Sequence, residues 1–523
     1  MRLAGENPFK TRALEKGAKI LSEEPDVIER IKDGSITKIP GIGKGIEEIL
    51  TEFLENGQSQ TRQELIKSLP KGLLELTNVP GLGPSKAKLL IEKLGIESIA
   101  ELEYACRENR LLDLKGFGVK AQASILEQVQ YLNATAGKAR YVDIEPKLIE
   151  IESLISGTMD SSESFSLTGQ VRRKIEVLDQ IELLISGTKN TFSKIEKKLI
   201  TLSKPENNSL PIKIHKCPNE KFGLELFRTT GPEEFVKMIP SASFSNEKSI
   251  FENNGLEYIP PELRDDPFSI VLSKNNKLNT LITEKDILGT FHNHSNYSDG
   301  INTIEEMVTI ASKYEHQYIG ITDHSQSAFY ANGLKEPALH KQKKEIDSIR
   351  KNNSKINVLW GIESDILKDG SLDYPKKLLE NFDIVIASVH TRFGLDRETM
   401  TKRIIEALKN PATTILGHPT GRLLLGRKAF EIDMEEVIKT AARHKVAIEI
   451  NANPARLDLD WRWGKLIRDT GAFVAISPDA HSVDGYSDIR FGVTVARKAL
   501  IPKSQILNTF SYDELKKWLK NRT

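Results

Sequence analysis

Residues 286–300 read DILGTFHNHSNYSDG: a short apolar run ends in two histidines one residue apart, and a polar turn carrying Asp299 follows. Working outward toward the C-terminus, the same plan recurs. YIGITDHS (318–325) ends on His324, INVLWGIESD (356–365) on Glu363, DIVIASVH (383–390) on His390, TTILGH (413–418) on His418, and FVAISPDAHS (473–482) on Asp479 and His481. A further apolar run, VAIEI, begins at Val446. Apolar runs of strand length separated by amphipathic helical stretches predict a parallel sheet with helical crossovers. With the run before His292 there are about seven strands, which predicts a closed or nearly closed β/α barrel over residues 284–523.

In such barrels the carboxyl ends of the strands converge on one face, where groups from several strands meet. Six of the ten histidines (His292, His294, His324, His390, His418 and His481) and three carboxylates (Asp299, Glu363 and Asp479) hold that kind of position. The H-x-H and D-x-H spacings place two side chains on the same side of an extended segment, so both can reach one ion or two adjacent ions. Imidazole with carboxylate, and no thiolate, suits zinc, manganese or iron better than calcium or magnesium. These nine groups exceed what one ion takes, so two or three divalent metals are expected, with Glu363 as the candidate bridging and catalytic ligand. Adjacent metals can acidify water and clamp a phosphoryl group. One histidine after a strand is more often a structural hydrogen-bonder, but six on one face point to a site. His215, His316, His340 and His444 are read as surface residues. Arg392 and Arg422 follow two of the candidate ligands and could grip a phosphate in bidentate fashion; structural salt bridges are an equally good reading.

The chain of 523 residues is too long for one core and should form three or four domains. Its 74 basic and 73 acidic residues nearly cancel, so any nucleic acid must be bound by local contacts and not by net charge. Two distant cysteines, Cys106 and Cys217, exclude a disulfide framework and a thiolate metal site. The opening MRLAGENPFK lacks the apolar core of a signal peptide, and no apolar run approaches bilayer length. A cytoplasmic monomer is expected. No repeat of solenoid length is visible.

To about residue 135 the pattern is all-helical, with short helices punctuated by Pro-Gly turns. Three segments share an apolar-x-Gly-apolar-Gly pattern: IPGIGKGI (39–46), VPGLGPSKA (79–87) and LKGFGVKA (114–121). The paired glycines, Gly41 and Gly43, Gly81 and Gly83, Gly116 and Gly118, permit a tight turn that aims amide N–H groups outward at a helix start, where an anion is favoured. A DNA phosphate fits there without sequence readout. Lys44, Lys86 and Lys120 add charge, and the third turn is also compatible with packing alone. Residues 138 to 250 mix helices with strands such as SFSLTG and QIELLISG, with polar loops around Ser161 and at Pro205–Ser209, and read as a small α+β domain. The connector NNGLEYIPPELRDDP (253–267) contains a Pro-Pro pair that breaks helix and strand alike.

The series FHNHSNYSDG, ITDHS, GIESDIL, ASVHTRF, GHPTGR, EINANP and PDAHS is similar, in order and spacing, to the PHP (polymerase and histidinol phosphatase) metallohydrolases over nearly all of 286–515. The resemblance implies a trinuclear site on the nine residues above, although Phe291 and Asn293 depart from that family's D-L-H-x-H wording. With NPFKTRA, the hairpins and YIPPELR, the whole chain resembles bacterial family X DNA polymerases that carry a C-terminal PHP domain. The implied multidomain plan is an N-terminal helical domain with helix-hairpin-helix (1–68), a fingers-like helix-hairpin-helix domain (69–136), a nucleotidyltransferase-like palm and thumb (137–250), a linker (251–283) and a (β/α)7 PHP barrel (284–523).

That family's palm binds two magnesium ions on three aspartates, two of them in a G-S-x-R-R-x-x-E-T-V-x-D-x-D motif. Here GQVRRKIEVLDQIE (169–182) keeps Gly169, Arg172, Arg173 and Glu176 but places Gln180 and Glu182 at the aspartates, and Lys213 in IKIH falls at the third. Asp179 is a poor substitute, because neighbours on a strand point to opposite faces. Pro232 stands where the family's T-G-S turn has serine. Magnesium needs anionic oxygens at close range, so magnesium is not expected at this degenerate site, nor is polymerisation. The expected activity is a metal-dependent phosphoesterase, a 3′-5′ DNA exonuclease or 3′-end processor in base-excision repair, acting on gapped DNA or 3′ ends without sequence preference. The alternatives are an active gap-filling polymerase with proofreading, a histidinol-phosphatase-like enzyme of small molecules, and a DNA-end binding scaffold.

Overall fold

The computed structural model describes residues 4, 7–22, 24, 26–112, 114–202, 210–241, 246–352 and 355–522; the loop expected at Pro205–Ser209 lies outside them. The chain divides into two units, Met1–Ala136 and Gly137–Thr523. Among the described residues, no helix is long and apolar enough to cross a membrane.

The first unit is helical and holds two apolar clusters. One gathers Ile36, Ile39 and Ile42 with Ile20, Ile31 and Leu50. The other gathers Leu73, Leu76, Val79, Leu82, Leu90, Leu102, Phe117 and Ile125.

The second unit begins with a small sheet. Strands β1 (Ala139–Arg140) and β3 (Val177–Leu178) pair antiparallel, while β2 (Ser164–Thr168), β4 (Ile181–Ser186) and β5 (Ile212–Cys217) form a sheet in the order β2-β4-β5. Ile181, Leu183 and Ile185 of β4 pack with Ile144, Leu148, Ile151, Ile195 and Leu199 from the helices Tyr141–Ser156 and Lys189–Leu202. The expected boundary at residue 250 is not one physically. Leu224, Phe227, Phe235 and Ile250 share a single core with Phe251, Ile259, Leu263 and Leu281 of the linker and with Leu500. Arg264 is fully buried there and donates to Ile259 O (3.0 Å) and Glu247 Oε1 (2.7 Å), and its guanidinium lies 5.1 Å from the Phe251 ring centre. Arg172 grips the same Glu247 through both terminal nitrogens, at 2.8 and 2.7 Å. Burial pushes the Glu247 carboxyl up, but the two guanidiniums outweigh it and hold the group at about 2.

The third part is the predicted barrel. Its strands, β6 (Gly289–Thr290), β7 (Tyr318–Ile321), β8 (Asn357–Asp365), β9 (Ile384–Ser388), β10 (Ile415–Leu416), β11 (Ala447–Asn451) and β12 (Val474–Ser477), lie in chain order in one sheet and pair in parallel. They are buried on both faces, which is why they read as unbroken apolar runs. Alternate positions serve two clusters. Ile319, Ile321, Val358 and Trp360 pack with helical residues such as Met307 and Ile346. Tyr318, Leu359, Ile384, Ile386 and Ile415 pack with Phe291, Leu507 and Leu515.

β6 and β12 end the sheet order, and two devices join them. Asn293 bridges Ala480 at the carboxyl end, where the His294 N–H donates to Ala480 O at 2.8 Å. At the other end the buried Asn508 amide stands in for a strand. Its Nδ2 donates to Gly289 O (2.8 Å) and Ile476 O (2.7 Å), and its Oδ1 accepts from Ile476 N–H (2.7 Å). Asn508→Leu keeps the branching of the side chain but replaces both polar atoms by methyls, which leaves these three backbone groups unpartnered, at about 1–3 kcal/mol each. Calorimetry should show the barrel transition lowered by roughly 5 °C or more; a midpoint equal to the parent's would mean that the seam does not depend on Asn508.

Candidate metal centre

All nine residues singled out in the sequence meet at the carboxyl ends of the barrel strands. His292 and His294 follow β6, Asp299 lies in the next turn, His324 follows β7, Glu363 is in β8, His390 follows β9, His418 follows β10, and Asp479 and His481 follow β12. Glu363 sits at the middle. Its Oε2 lies 2.9 Å from His324 Nδ1, 3.3 Å from His292 Nε2 and 3.7 Å from His294 Nε2, and its Oε1 lies 3.0 Å from His418 Nε2 and 3.2 Å from His390 Nε2. One carboxylate thus faces five imidazoles, its two oxygens divided between them. Asp479 Oδ1 is 3.1 Å from His294 Nε2 and 3.5 Å from His292 Nε2. Asp299 Oδ2 is 3.5 Å from His324 Nε2 and 3.4 Å from His481 Nε2.

The donor atoms fit divalent cations. His292 Nε2, His294 Nδ1, His324 Nδ1, His418 Nδ1 and Glu363 Oε2 are buried without a hydrogen-bond partner. Buried polar atoms are ordinarily satisfied, so orphaned atoms on five neighbouring side chains mark a place for ligands. Three overlapping sets bring their ligand atoms within 4.8 Å of one another: His294, Asp299, His324 and His481; His292, His294 and Glu363; and His324, Glu363 and His390. Burial works against charge on Glu363, yet His390, His292 and His324 hold its carboxyl well below the usual range. Asp479 is held down likewise by His292, His294 and His481. The same field acts on the bases. Burial lowers His324 and His390, but Glu363 in both cases, with Asp299 beside one and Asp365 beside the other, brings them to about 10 and about 9. His294, buried and flanked by His481 and His324, falls to about 3. The ionised acids raise these imidazoles by favouring positive charge beside them; a divalent cation would supply that charge only by displacing the imidazole protons.

A surrounding layer, which the sequence reading did not single out, fixes these groups. Buried Glu449 lies 2.8 Å from His292 Nδ1 and accepts from the His418 N–H at 2.6 Å. That second bond holds His418 at φ 21°, a backbone conformation rare outside glycine. Asp365 Oδ1 lies 2.6 Å from His390 Nδ1, and Asn451 Nδ2 donates to Asp479 Oδ2 at 3.0 Å. A signal existed for the two acids, since Glu449 and Asp365 stand in the same strand-end runs as the ligands. Arg456 Nε lies 3.6 Å from Asp479 Oδ2. Tyr330 places its ring 6.2 Å from that of His324; partial burial, with Asp365, Glu363 and Asp299 nearby, raises its phenol, which stays neutral.

Some expectations need correction. Arg422 is not free to hold a phosphate: its nitrogens donate to Arg456 O, Leu457 O and Asp460, which leaves the structural reading. Arg392 is exposed in the loop after His390, at φ 61°. His316 is not a surface residue but buried, with Nδ1 2.6 Å from Tyr486 Oη, and burial lowers it to about 4. His215 lies half-buried in β5, 3.1 Å from Glu182, whereas His340 and His444 are exposed.

On the small sheet, β4 and β5 pair Glu182 with Lys213, and the ammonium lies 3.2 Å from the carboxylate. Gly169, at φ 62°, faces that acid so closely that a Cβ would come within 1.8 Å of Glu182 Oε2. Gln180 lies half-buried just before β4 and Asp179 is exposed.

The three glycine turns share one geometry. Gly41, Gly81 and Gly116 take φ of 98°, 82° and 94°. Ile42, Leu82 and Phe117 are buried as anchors, and Gly43, Gly83 and Gly118 cap the helices Lys44–Asn56, Pro84–Leu94 and Val119–Thr135. The space around Gly43, Gly81, Gly83, Gly116 and Gly118 is open. Lys44 and Lys120 are exposed, and Lys86 lies 5.7 Å from the centre of the Phe117 ring.

Comparison with known proteins agrees with this arrangement. Residues 290–453 match the PHP domain, residues 73–130 the SAM-like helix-hairpin-helix tandem, and residues 1–59 the helix-hairpin-helix domain. The chain is 32% identical over 565 residues to the DNA polymerase/3′-5′ exonuclease PolX of Bacillus subtilis (strain 168), covering 99% of this chain and 97% of that protein. It is also 34% identical over 196 residues to a probable phosphatase of Caldicellulosiruptor saccharolyticus, covering 34% of this chain and 74% of that one. A probable phosphatase of Thermoanaerobacter sp. (strain X514) is 31% identical over 177 residues, or 32% and 69% of the two chains.

Partners that hold a ligating histidine tune its affinity. Glu449→Gln should weaken binding of zinc or manganese by about 10–100-fold, with helix content by circular dichroism unchanged. Calorimetric titration of chelator-treated protein measures this, and unaltered affinity would separate Glu449 from the centre.

Proposed function

We propose, from the premise that the chain belongs to the family X DNA polymerases that carry a PHP domain, that its barrel centre hydrolyses the terminal phosphodiester of DNA 3′ ends, in the 3′-to-5′ direction. The observation that carries this reading is Glu363, one buried carboxylate shared between two sets of imidazoles inside a cluster of nine ligand-competent side chains. PHP domains depend on metals, and two or three bound zinc, manganese or iron ions would supply acidified water and charge neutralisation at phosphorus. The ligands are His292, His294, Asp299, His324, Glu363, His390, His418, Asp479 and His481. Exposed Arg392 is the guanidinium available for a neighbouring phosphate, and Arg456 adds positive charge beside Asp479.

The helix-hairpin-helix turns deliver the substrate. The amides of Gly43, Gly83 and Gly118 begin helices that no side chain caps, so they can donate to backbone phosphate without reading sequence. Lys44, Lys86 and Lys120 strengthen that contact. The task suits 3′-end trimming in DNA repair, base-excision repair included. These turns also favour a nucleic acid over the small phosphomonoesters that a phosphatase takes.

The small sheet does not extend primers in this reading. Gln180 offers no charge, and the Lys213 ammonium already neutralises Glu182, so two hard magnesium ions would lack anionic oxygens. It serves instead as a scaffold.

Two measurements test these statements. His324→Ala or Asp479→Ala should reduce release of nucleotides from a 3′-labelled oligonucleotide at least about 100-fold while DNA affinity holds; full activity in either purified variant would remove the barrel from the chemistry. On a gapped duplex with magnesium or manganese, the parent protein should incorporate no dNTP. Templated extension there would return the palm to service as a polymerase.

A further inference from the structure

Two aromatic side chains stand uncovered beside the metal centre. Phe329 is 86% exposed and Tyr330 57%. Their rings meet edge to face with centres 6.0 Å apart, and the Tyr330 ring lies 6.2 Å from His324 and 6.3 Å from His390. One exposed aromatic is ordinary on a protein surface. An adjacent pair beside a buried cluster of imidazoles calls for a partner.

The loop that bears them is tied down at both ends. Its base is tied by Ser325 N–H to Glu363 O (3.0 Å) and by Leu334 N–H to His324 O (2.8 Å). Along its length, Ser327 N–H donates to Asp373 Oδ2 (2.7 Å), the Ser327 hydroxyl to Asp365 Oδ2 (3.2 Å), the Gln326 amide to Asp373 O (2.9 Å) and the Asn332 amide to Ser298 O (3.3 Å). Gly333 admits the Ser325 carbonyl so closely that a Cβ would lie 1.9 Å from it. The rings are therefore anchored to the strand ends that carry His324 and Glu363, and to the Asp365 that holds His390. A loop backbone held in place beforehand loses little freedom on binding.

We propose that Phe329 and Tyr330 form a stacking platform for the base of the last nucleotide of a single-stranded 3′ end; the inference rests on the reading of the centre as a 3′-end nuclease. Stacking on aromatic rings tolerates any base, because every base has a π-face. A base inside a duplex is already stacked and paired, so the platform selects unpaired ends. A phosphomonoester that lacks a base gains nothing from it.

The test compares the parent protein with Phe329→Ala/Tyr330→Ala and with Tyr330→Phe, on an oligonucleotide ending in adenine and on the same strand ending in an abasic tetrahydrofuran residue. The double alanine variant should raise KM for the adenine end about tenfold to a hundredfold. Its penalty on the abasic end should be roughly fivefold or more smaller, and Tyr330→Phe should behave like the parent. Equal penalties on both ends, or none on the adenine end, would overturn the platform. A second readout needs no hydrolysis: 2-aminopurine at the 3′ terminus should lose fluorescence on binding the parent and keep it with the double variant. Ring-dependent quenching without any cleavage would retire the nuclease reading and leave the platform standing. Cleavage without ring-dependent quenching would do the reverse.

Discussion

A carboxylate taken out of water stays ionised only where positive charge faces it. Glu363, buried in β8, meets that condition with His292, His324 and His390, while His294 and His418 also stand beside it; the five come from four different strand ends, and the rest of the barrel can be read as the means of bringing them there. Strands buried on both faces set the register. Asn508 and the Asn293–Ala480 bridge join the ends of the sheet, so His292 and His294 on one side meet Asp479 and His481 on the other. Glu449, Asp365 and Asn451 then fix the side chains that the strands deliver.

The small sheet and the barrel belong to one unit, and the Arg-Arg-x-x-Glu segment does much to join them. Arg172 meets Glu247; Arg173 meets Asp265, which also receives the buried Lys498 at 2.5 Å; and Glu176 accepts from Arg462 at 2.8 Å. Arg490 adds a two-point ion pair to Glu145. In this chain the palm motif residues that match the polymerase frame are thus occupied in holding parts together. Those that depart from it, Gln180, Glu182 and Lys213, are where a metal's carboxylates would be needed. The proposed scaffold role of the sheet and its proposed lack of catalysis have a common origin.

Period and punctuation in the sequence disclosed a good deal. Each ligand-competent residue except Asp299, which lies in the polar turn after the first strand, stands at or just past the end of an apolar run, so the approximate strand number and the parallel barrel were legible. The three glycine turns were legible for a similar reason: a positive φ followed by an N-cap restricts which residues can stand there. Arg422 shows the limit. Its position after His418 was compatible with a phosphate contact or with a salt bridge, and only the approach of Asp460 and the Leu457 carbonyl decides between them. His316 looked like a surface residue because its burial comes from Tyr486, distant in sequence.

What the sequence determined by itself was local: which segments are strands or helices, where they stop, and which chemical groups stand at the stops. Tertiary structure alone decided which of those groups touch. That Glu363 divides its oxygens between two sets of histidines, that Glu449 braces two ligands at once, that the connector shares a core with the thumb-like helices, and that an asparagine near the C-terminus joins the barrel's ends are all contacts across long separations in the chain. Such contacts depend on packing and on the register of strands, and no pattern of neighbouring residues encodes them.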